Sequence, residues 1–406
     1  MPINNTNRYL QSLLMVACLL IAYSCSSDQD KVDSYFGFDI PKETLDRYLL
    51  DQMDSLNIPG MAIAFINDGK VVHHRTLGYA NLQEQLAVTE TTIFEAASLS
   101  KPVFAFFVMK YVEEGKLDLD TPLYTYLPYP DIAYDERYKK ITARMVLSHR
   151  TGFPNWREDT PDDRLIIQFE PGTDYFYSGE GYQYLAKVLN EIEGLDWKGL
   201  EAEFQAKVAV PLGMEHSVFI QDDYSKRHKA EPYDEEGKWV GPGRNPDSLR
   251  QYQFWAPASL HSEPLDFSKW MIGLMEGKVL TEESYQELYR PHSFVDEFNG
   301  IKVDYTLGFF KPQLPLTNLY MHGGNNFGFT SSFALDPDKK WGFVLFTNSE
   351  YGEDLGNELT LYMLTGPDMN KVYLVLGLIV ISVILIFILL IRWLLRQRKK
   401  IRASAK

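Results

Sequence analysis

The chain has 406 residues, of which 55 are acidic and 40 are Lys or Arg, so its formal net charge is −15 at pH 7. This excess of negative charge disfavours nucleic acid and anionic lipid surfaces as partners. The two cysteines, Cys18 and Cys25, both lie near the N-terminus, so the rest of the chain must be stable without disulfides. A chain of this length buries enough apolar surface for that.

The N-terminus has the outline of an export signal. Arg8 precedes an apolar stretch, residues 10–22, that ends in small and polar residues. Cys25 follows Ala-Tyr-Ser, which resembles a bacterial lipoprotein cleavage box and makes this cysteine a candidate for lipidation. We predict a signal peptide or lipoprotein signal over residues 1–25 and a tether over residues 26–34, with an uncleaved N-terminal anchor as the alternative.

The predicted folded domain, residues 35–367, opens with a helix and a hairpin. The helix is expected over residues 42–57. Apolar runs at residues 60–66 and 71–75 are joined through Asn-Asp-Gly. An apolar run, a D-G turn and a second run are typical of a β-hairpin.

Ser98 and Lys101 form the only S-x-x-K spacing in the chain, within residues 94–102, which read Phe-Glu-Ala-Ala-Ser-Leu-Ser-Lys-Pro and open an apolar helix. Three residues apart on a helix, the two side chains share one face. A serine hydroxyl is a poor nucleophile at neutral pH, and an amine kept unprotonated by burial can take its proton. The pair is a candidate nucleophile and base; the alternative is a surface serine.

The middle of the domain is predicted to be a helical lobe inserted into a sheet. Helices are expected at residues 143–147, 181–193, 200–210, 263–277 and 282–289. Strands follow at residues 304–310, 319–322, 330–335 and 342–347, before a last helix at residues 354–364. Strands at both ends of the domain indicate one sheet of an α/β (α+β) fold, with the active site in the cleft between lobe and sheet.

Two further segments carry candidate site residues. Tyr177 lies in a turn-rich stretch leading into a helix and could relay a proton to or from Ser98, although most of the 25 tyrosines must be packing residues. His322 ends one predicted strand, and Gly323, Gly324 and Asn325 lie between it and the next, where glycines let a backbone amide approach an oxyanion. The alternatives are a simple glycine turn and a structural histidine.

The C-terminus is predicted to anchor the chain in a membrane. Residues 372–391 carry no charge and are long enough to span a bilayer. Residues 392–406 hold seven positive charges and no acid, which by the positive-inside rule places this tail in the cytoplasm. We therefore expect a single-pass anchor in the cell (inner) membrane with the folded domain periplasmic or extracellular. A buried helix is the alternative.

The S-x-x-K, Tyr177 and His-Gly-Gly segments together resemble the serine β-lactamase and penicillin-binding-protein superfamily, in particular its class C branch with the related D-aminopeptidases and esterases. The resemblance covers about residues 35–364. Supporting stretches are residues 58–62, 112–120, 147–153, 211–214 and 257–262.

The resemblance implies an acyl-enzyme on Ser98, activated by Lys101, with Tyr177 as the second general acid/base. His322, Gly323 and Gly324 stand where many members have K-T-G and others H-x-G. The backbone amides of Ser98 and Asn325 would form the oxyanion hole. No metal or cofactor is expected, since none of the eight histidines lies in an H-E-x-x-H or comparable array.

Two departures from the family pattern shape the functional prediction. The usual Y-x-N motif reads Tyr177-Ser178-Gly179, which removes an amide that binds the substrate, and His322 replaces a fixed positive charge. We predict hydrolysis of an ester or a small D-amino-acid or peptide amide, from a small-molecule or cell-wall-derived substrate. A peptidoglycan D,D-peptidase or a β-lactamase is the rival enzyme, and a membrane-anchored binding or sensor protein is the rival of another class. The oligomeric state is left open.

Overall fold

A computed structural model describes residues 30–240, 253–298, 300–315 and 317–367. The predicted export signal with Cys25, the membrane span at residues 372–391 and the basic tail lie outside these ranges. Within the described ranges, none of the helices combines the length and the apolar character needed to cross a bilayer.

Thirteen strands are present in the described part of the chain: β1 (Lys31–Asp33), β2 (Asp39–Pro41), β3 (Gly60–Asn67), β4 (Lys70–Asn81), β5 (Leu86–Ala87), β6 (Phe94–Glu95), β7 (His261–Ser262), β8 (Ser293–Phe298), β9 (Ile301–Tyr305), β10 (Phe310–Pro312), β11 (Tyr320–Asn325), β12 (Thr330–Asp336) and β13 (Trp341–Thr347). Nine of them form one antiparallel sheet in the order β5-β4-β3-β13-β12-β11-β10-β9-β8. Strand β3, from the start of the domain, therefore pairs with β13 from its end.

The helices are α1 (Lys42–Ser55), α2 (Ser100–Glu113), α3 (Ala143–Leu147), α4 (Gly179–Glu193), α5 (Trp197–Phe204), α6 (Asp223–His228), α7 (Pro264–Met275), α8 (Glu282–Tyr289) and α9 (Gly352–Thr365). A π-helical turn, Gln205–Ala209, and a further turn, Val210–Leu212, continue α5. Helix α2 is buried on nearly every side, as expected of a helix that is apolar all round.

Both faces of the sheet are covered. Alternate residues of β3 point to opposite faces, so Met61, Ile63 and Phe65 pack with α1 and α9, while Ala62 and Ala64 belong to the core shared with α2 and α7. The α/β architecture with an antiparallel sheet, flanking helices and an inserted helical lobe confirms the fold predicted for the folded domain; the transmembrane helix predicted with it lies outside the described residues. This architecture places the start of α2 beside the sheet.

Of the predicted boundaries that are wrong, two have a clear structural reason. The single strand expected at residues 304–310 is two strands, because the chain turns at Gly308, whose φ is +99°. A Cβ there would lie 3.0 Å from the backbone of Pro102, so this turn also packs closely on α2. The predicted tether, residues 26–34, overlaps strand β1, in which Val32 is fully buried, so the folded part includes that strand.

Candidate active site

Ser98 lies in a 3₁₀ turn, Ala97–Leu99, directly before α2. Ala97 has a φ of +47°, a left-handed conformation that costs a residue with a Cβ about 1–2 kcal/mol. The Ser100 hydroxyl donates to the Ala97 carbonyl at 2.6 Å and accepts from the Leu260 amide at 2.9 Å. These bonds hold the strained turn, which presents Ser98 at the N-terminus of α2, as the sequence predicted.

Lys101 is fully buried in the first turn of α2. Its Nζ lies 3.1 Å from Ser98 Oγ and donates to the Pro257 carbonyl oxygen at 3.0 Å. Burial lowers the pKa of Lys101 well below its ordinary value. A lowered pKa favours the neutral form of the amine, and a neutral amine at this distance can accept the serine proton.

Tyr177 lies just before α4, whose first turn is held by its neighbour. The Ser178 hydroxyl accepts from the Gly181 amide at 3.1 Å and donates to the Pro154 carbonyl at 2.8 Å. The Tyr177 hydroxyl lies near Ser98, and burial raises the pKa of Tyr177 above its ordinary value. Its ring lies 4.5 Å from Lys101 Nζ. The phenol therefore stays protonated at neutral pH, with its oxygen at the serine.

Strand β11 contains all of the sequence His322-Gly323-Gly324-Asn325, so it continues three residues beyond the predicted end at His322. A Cβ on Gly324 would lie 2.7 Å from the Ser98 amide nitrogen and 2.8 Å from the Ala96 carbonyl oxygen. At Gly323 the nearest atom would be 3.9 Å away. Gly324 is thus the glycine that lets the strand approach Ser98.

His322 is uncharged in this site. Its Nδ1 donates to the Gly323 carbonyl at 2.6 Å, so its Nε2 accepts from the Tyr305 hydroxyl at 3.0 Å. Burial, assisted by the nearby Lys101, lowers the pKa of His322 to about 3. Both ring nitrogens are engaged, and the ring is neutral at physiological pH.

His149, which no sequence pattern marks as functional, holds the segment around Tyr177. Its carbonyl accepts from the Phe176 amide at 2.9 Å, and its Nδ1 accepts from the Ser178 amide at 3.0 Å. The two contacts fix the backbone on either side of Tyr177. The ring centroids of His149 and Tyr177 are 4.3 Å apart.

The His149 ring is neutral, with its proton on Nε2, because Nδ1 is an acceptor. That Nε2 is buried and has no hydrogen-bond partner among the described residues. Burial is the main cause that lowers the pKa of His149 well below its ordinary value, and the protonated forms of the nearby Lys101 and His322 would lower it further. The sequence showed only a loop histidine inside residues 147–153, and its φ of +57° and its contacts arise only on folding.

Among the described residues, one cluster has metal-ligand geometry: atoms of His216, Glu263 and Asp266 lie within 4.8 Å of one another. Asp266 already accepts from the Ser217 hydroxyl at 2.7 Å and from two backbone amides. Glu263 caps α7 through the amides of Leu265 and Asp266. Hydrogen bonds within the protein therefore already occupy the two carboxylates of this cluster.

The sheet is covered on both faces and an inserted helical lobe meets it at a serine that has a buried lysine and a tyrosine beside it. This combination defines the class of β-lactamase-like and penicillin-binding-protein-like proteins, which are typically serine hydrolases. Residues 45–365 match the Beta-lactamase family. The chain belongs to this family.

Solved structures with this fold include a class C beta-lactamase, with a TM-score of 0.66 and 21% identity over 80% of this chain and 96% of that one. The octameric penicillin-binding protein homologue from Pyrococcus abyssi has a TM-score of 0.64 and 24% identity over 78% of this chain and 77% of that one. At these identities the likeness shows the fold.

Curated relatives include Protein flp of Staphylococcus aureus (strain MW2), 23% identical over 76% of this chain. The match spans 64% of the length of that protein. The putative penicillin-binding protein PbpX of Bacillus subtilis (strain 168) is 24% identical over 77% of each chain.

Proposed function

We propose that this protein is a serine hydrolase that forms an acyl-enzyme on Ser98 and hydrolyses an ester or a small D-amino-acid or peptide amide. One observation carries the proposal. Lys101 Nζ lies 3.1 Å from Ser98 Oγ, and the amine is fully buried, so its pKa is well below the ordinary value. A surface serine beside a solvated, charged lysine would have neither property.

In the proposed reaction, Ser98 Oγ gives its proton to Lys101 as it attacks the substrate carbonyl carbon. The oxyanion then accepts from the backbone amides of Ser98 and Asn325, a role supported by the close approach of Gly324 to Ser98. Tyr177, which is protonated, delivers a proton to the leaving group. Water then attacks the ester on Ser98: its oxygen bonds to the acyl carbon and its proton passes to the Tyr177 phenolate. As the bond from the acyl carbon to Ser98 breaks, Lys101 returns to Ser98 Oγ the proton that it took in the first step, so the acid is released and all three groups are restored.

The charge state of the site favours a neutral substrate. His322 stands where many relatives have a lysine, and both of its nitrogens are engaged in a ring that is neutral at physiological pH. It therefore offers no fixed positive charge to a substrate carboxylate. This supports an ester or uncharged amide over a carboxylate-terminated peptide or a penicillin.

A peptidoglycan D,D-peptidase is the second candidate. It is favoured by the similarity to PbpX, a putative penicillin-binding protein, and by a cell-wall-facing location. We propose that location from the sequence: export through residues 1–25, lipidation at Cys25 if the lipoprotein signal is used, and a membrane span at residues 372–391. A catalytically weak binding or sensor protein is the candidate of another class.

The test is intact-mass spectrometry of the full-length chain after exposure to a fluorophosphonate, a labelled penicillin or p-nitrophenyl esters. Stoichiometric labelling at Ser98, absent in Ser98→Ala, is the expected result. Turnover of esters without turnover of penicillin supports the esterase, and release of D-Ala from muropeptides supports the peptidase. No adduct with any probe would favour the binding protein.

A further inference from the structure

A tryptophan fills the space in front of Gly179, two residues after Tyr177. A Cβ built on Gly179 would lie 2.5 Å and 2.6 Å from two ring carbons of Trp156. Real Cβ atoms do not approach a ring so closely, so any larger residue at position 179 would displace the indole. The sequence shows that position 179 lacks a side-chain amide, and the structure shows that the Trp156 ring occupies the space beside it.

Trp156 is fixed on both sides by contacts with the start of α4. The carbonyl of Asn155 accepts from the amides of Gly179 and Glu180 at 3.0 Å and 3.1 Å. Arg157 donates to the buried Glu180 carboxylate through Nε at 2.9 Å and through Nη2 at 2.8 Å. The backbone that carries Trp156 is therefore held in place without a ligand, which lowers the entropy that is lost when a ligand binds against this residue.

A second indole extends the same surface. Trp255 stacks on Trp156 with ring centroids 6.0 Å apart and planes at 24°. Trp255 lies two residues before Pro257, whose carbonyl binds Lys101. The two rings thus join the segment that carries Tyr177 to the segment that holds Lys101. Both tryptophans are half-buried, so part of each residue stays accessible to solvent.

We propose that Trp156 and Trp255, the indole pair, form the subsite for an apolar, and preferably aromatic, acyl group of the substrate. The proposal rests on the proposed hydrolase function and names its substrate class. An indole face binds rings and alkyl chains by stacking and burial of apolar area. Gly179 supplies no side-chain amide to hold a polar acyl amide, so the subsite selects against such substrates.

The kinetic test compares p-nitrophenyl phenylacetate with p-nitrophenyl acetate, which share a leaving group and differ in the phenyl ring of the acyl group. In full-length Trp156→Ala the ratio of the two kcat/KM values should fall about tenfold. Trp156→Phe should keep most of the ratio, and Phe298→Ala, an exposed aromatic deleted from edge strand β8, should leave it unchanged. An unchanged ratio, or equal loss on both esters, would overturn the proposal. If Trp156→Ala does not fold, Trp255→Ala replaces it.

A binding test separates this proposal from the hydrolase proposal. Saturation-transfer NMR on the full-length Ser98→Ala chain should detect phenylacetamide but not acetamide, and the signal should disappear when Trp156→Ala is added. Absence of binding, or binding that survives the second substitution, contradicts the subsite. If a fluorophosphonate never labels Ser98, the hydrolase proposal fails. The NMR result still shows whether the indole pair binds an aromatic group.

Discussion

The contacts of His149 lead to a matched pair of substitutions that separate its hydrogen bond from its packing. His149→Asn keeps an acceptor near the Nδ1 position, and asparagine tolerates the φ of +57°. His149→Phe keeps the ring and removes the acceptor. The Ser178 amide that bonds to Nδ1 belongs to a buried residue, and leaving a buried donor unpaired costs roughly 1–3 kcal/mol.

In His149→Phe the backbone at Ser178 can lower that cost by shifting until its amide finds another acceptor. The segment that shifts also carries Tyr177. A shift of about 1 Å at a reacting group lowers a rate by roughly a hundredfold. We therefore expect His149→Phe to acylate with p-nitrophenyl acetate about a hundredfold more slowly than the native chain. His149→Asn should stay within about tenfold of it, but should lose roughly 2–4 kcal/mol of unfolding free energy, since it deletes a fully buried ring.

The assay combines the acylation rate from intact mass with urea unfolding of each full-length variant. A positioning role requires that His149→Asn keep most of the activity and His149→Phe lose it, although His149→Asn also loses stability. Equal activity of the two variants, or a more active phenylalanine variant, would refute the reasoning, because His149 would then act through packing alone.

Three further expectations concern neighbouring groups. Lys101→Met should abolish labelling of Ser98 yet stabilise the protein at pH 7. Folding lowers the pKa of Lys101 from about 10.4, so between the folded and unfolded pKa values this amine is protonated only in the unfolded chain, which favours unfolding. Methionine removes that penalty, and the gain in unfolding free energy measured with urea should shrink at pH 10. Gly324→Ala places a Cβ 2.7 Å from the Ser98 amide nitrogen and should slow acylation roughly a hundredfold. In Gly323→Ala the nearest atom to the new Cβ is 3.9 Å away, so the acylation rate should fall far less. Similar losses of rate in the two variants would argue against a close approach of Gly324 to Ser98. The pKa of His322 falls to about 3 on folding, so only the unfolded chain binds a proton at this ring as the pH drops below about 6.5. Between pH 7 and 4.5 the native protein should therefore lose ~3 kcal/mol more unfolding free energy than His322→Gln. An equal loss in the two proteins would contradict a neutral ring.

Local patterns were enough to predict most elements of the fold. The Asn67-Asp68-Gly69 turn joins β3 to β4 as expected, and α3 and α8 have the predicted bounds. The error at residues 304–310 has a physical cause. An apolar run indicates a strand, but the close packing of Gly308 on α2 that bends this run comes from residues far away in the sequence.

The candidate site was only partly accessible from the sequence. Spacing and chemistry pointed to Ser98, Lys101 and Tyr177, which the structure brings together. His149 gave no signal because its value lies in a hydrogen bond to a backbone amide 29 residues away. Likewise, Gly179 could be recognised as a departure from the family motif, but the indole of Trp156 that occupies the space is visible only once the loop is folded.

The pairing of β3 with β13 also bears on how the protein folds. Ile66 pairs with Gly342, and Met61 pairs with Thr347, so the middle of the sheet joins residues from opposite ends of the domain. Such distant pairings make folding slow, since a long loop must close before the contacts form. Until the last strand has been synthesised, one edge of β3 stays open beside the β3–β4 hairpin. That apolar edge is the segment most exposed to aggregation during biogenesis, and the one for which a chaperone would matter most.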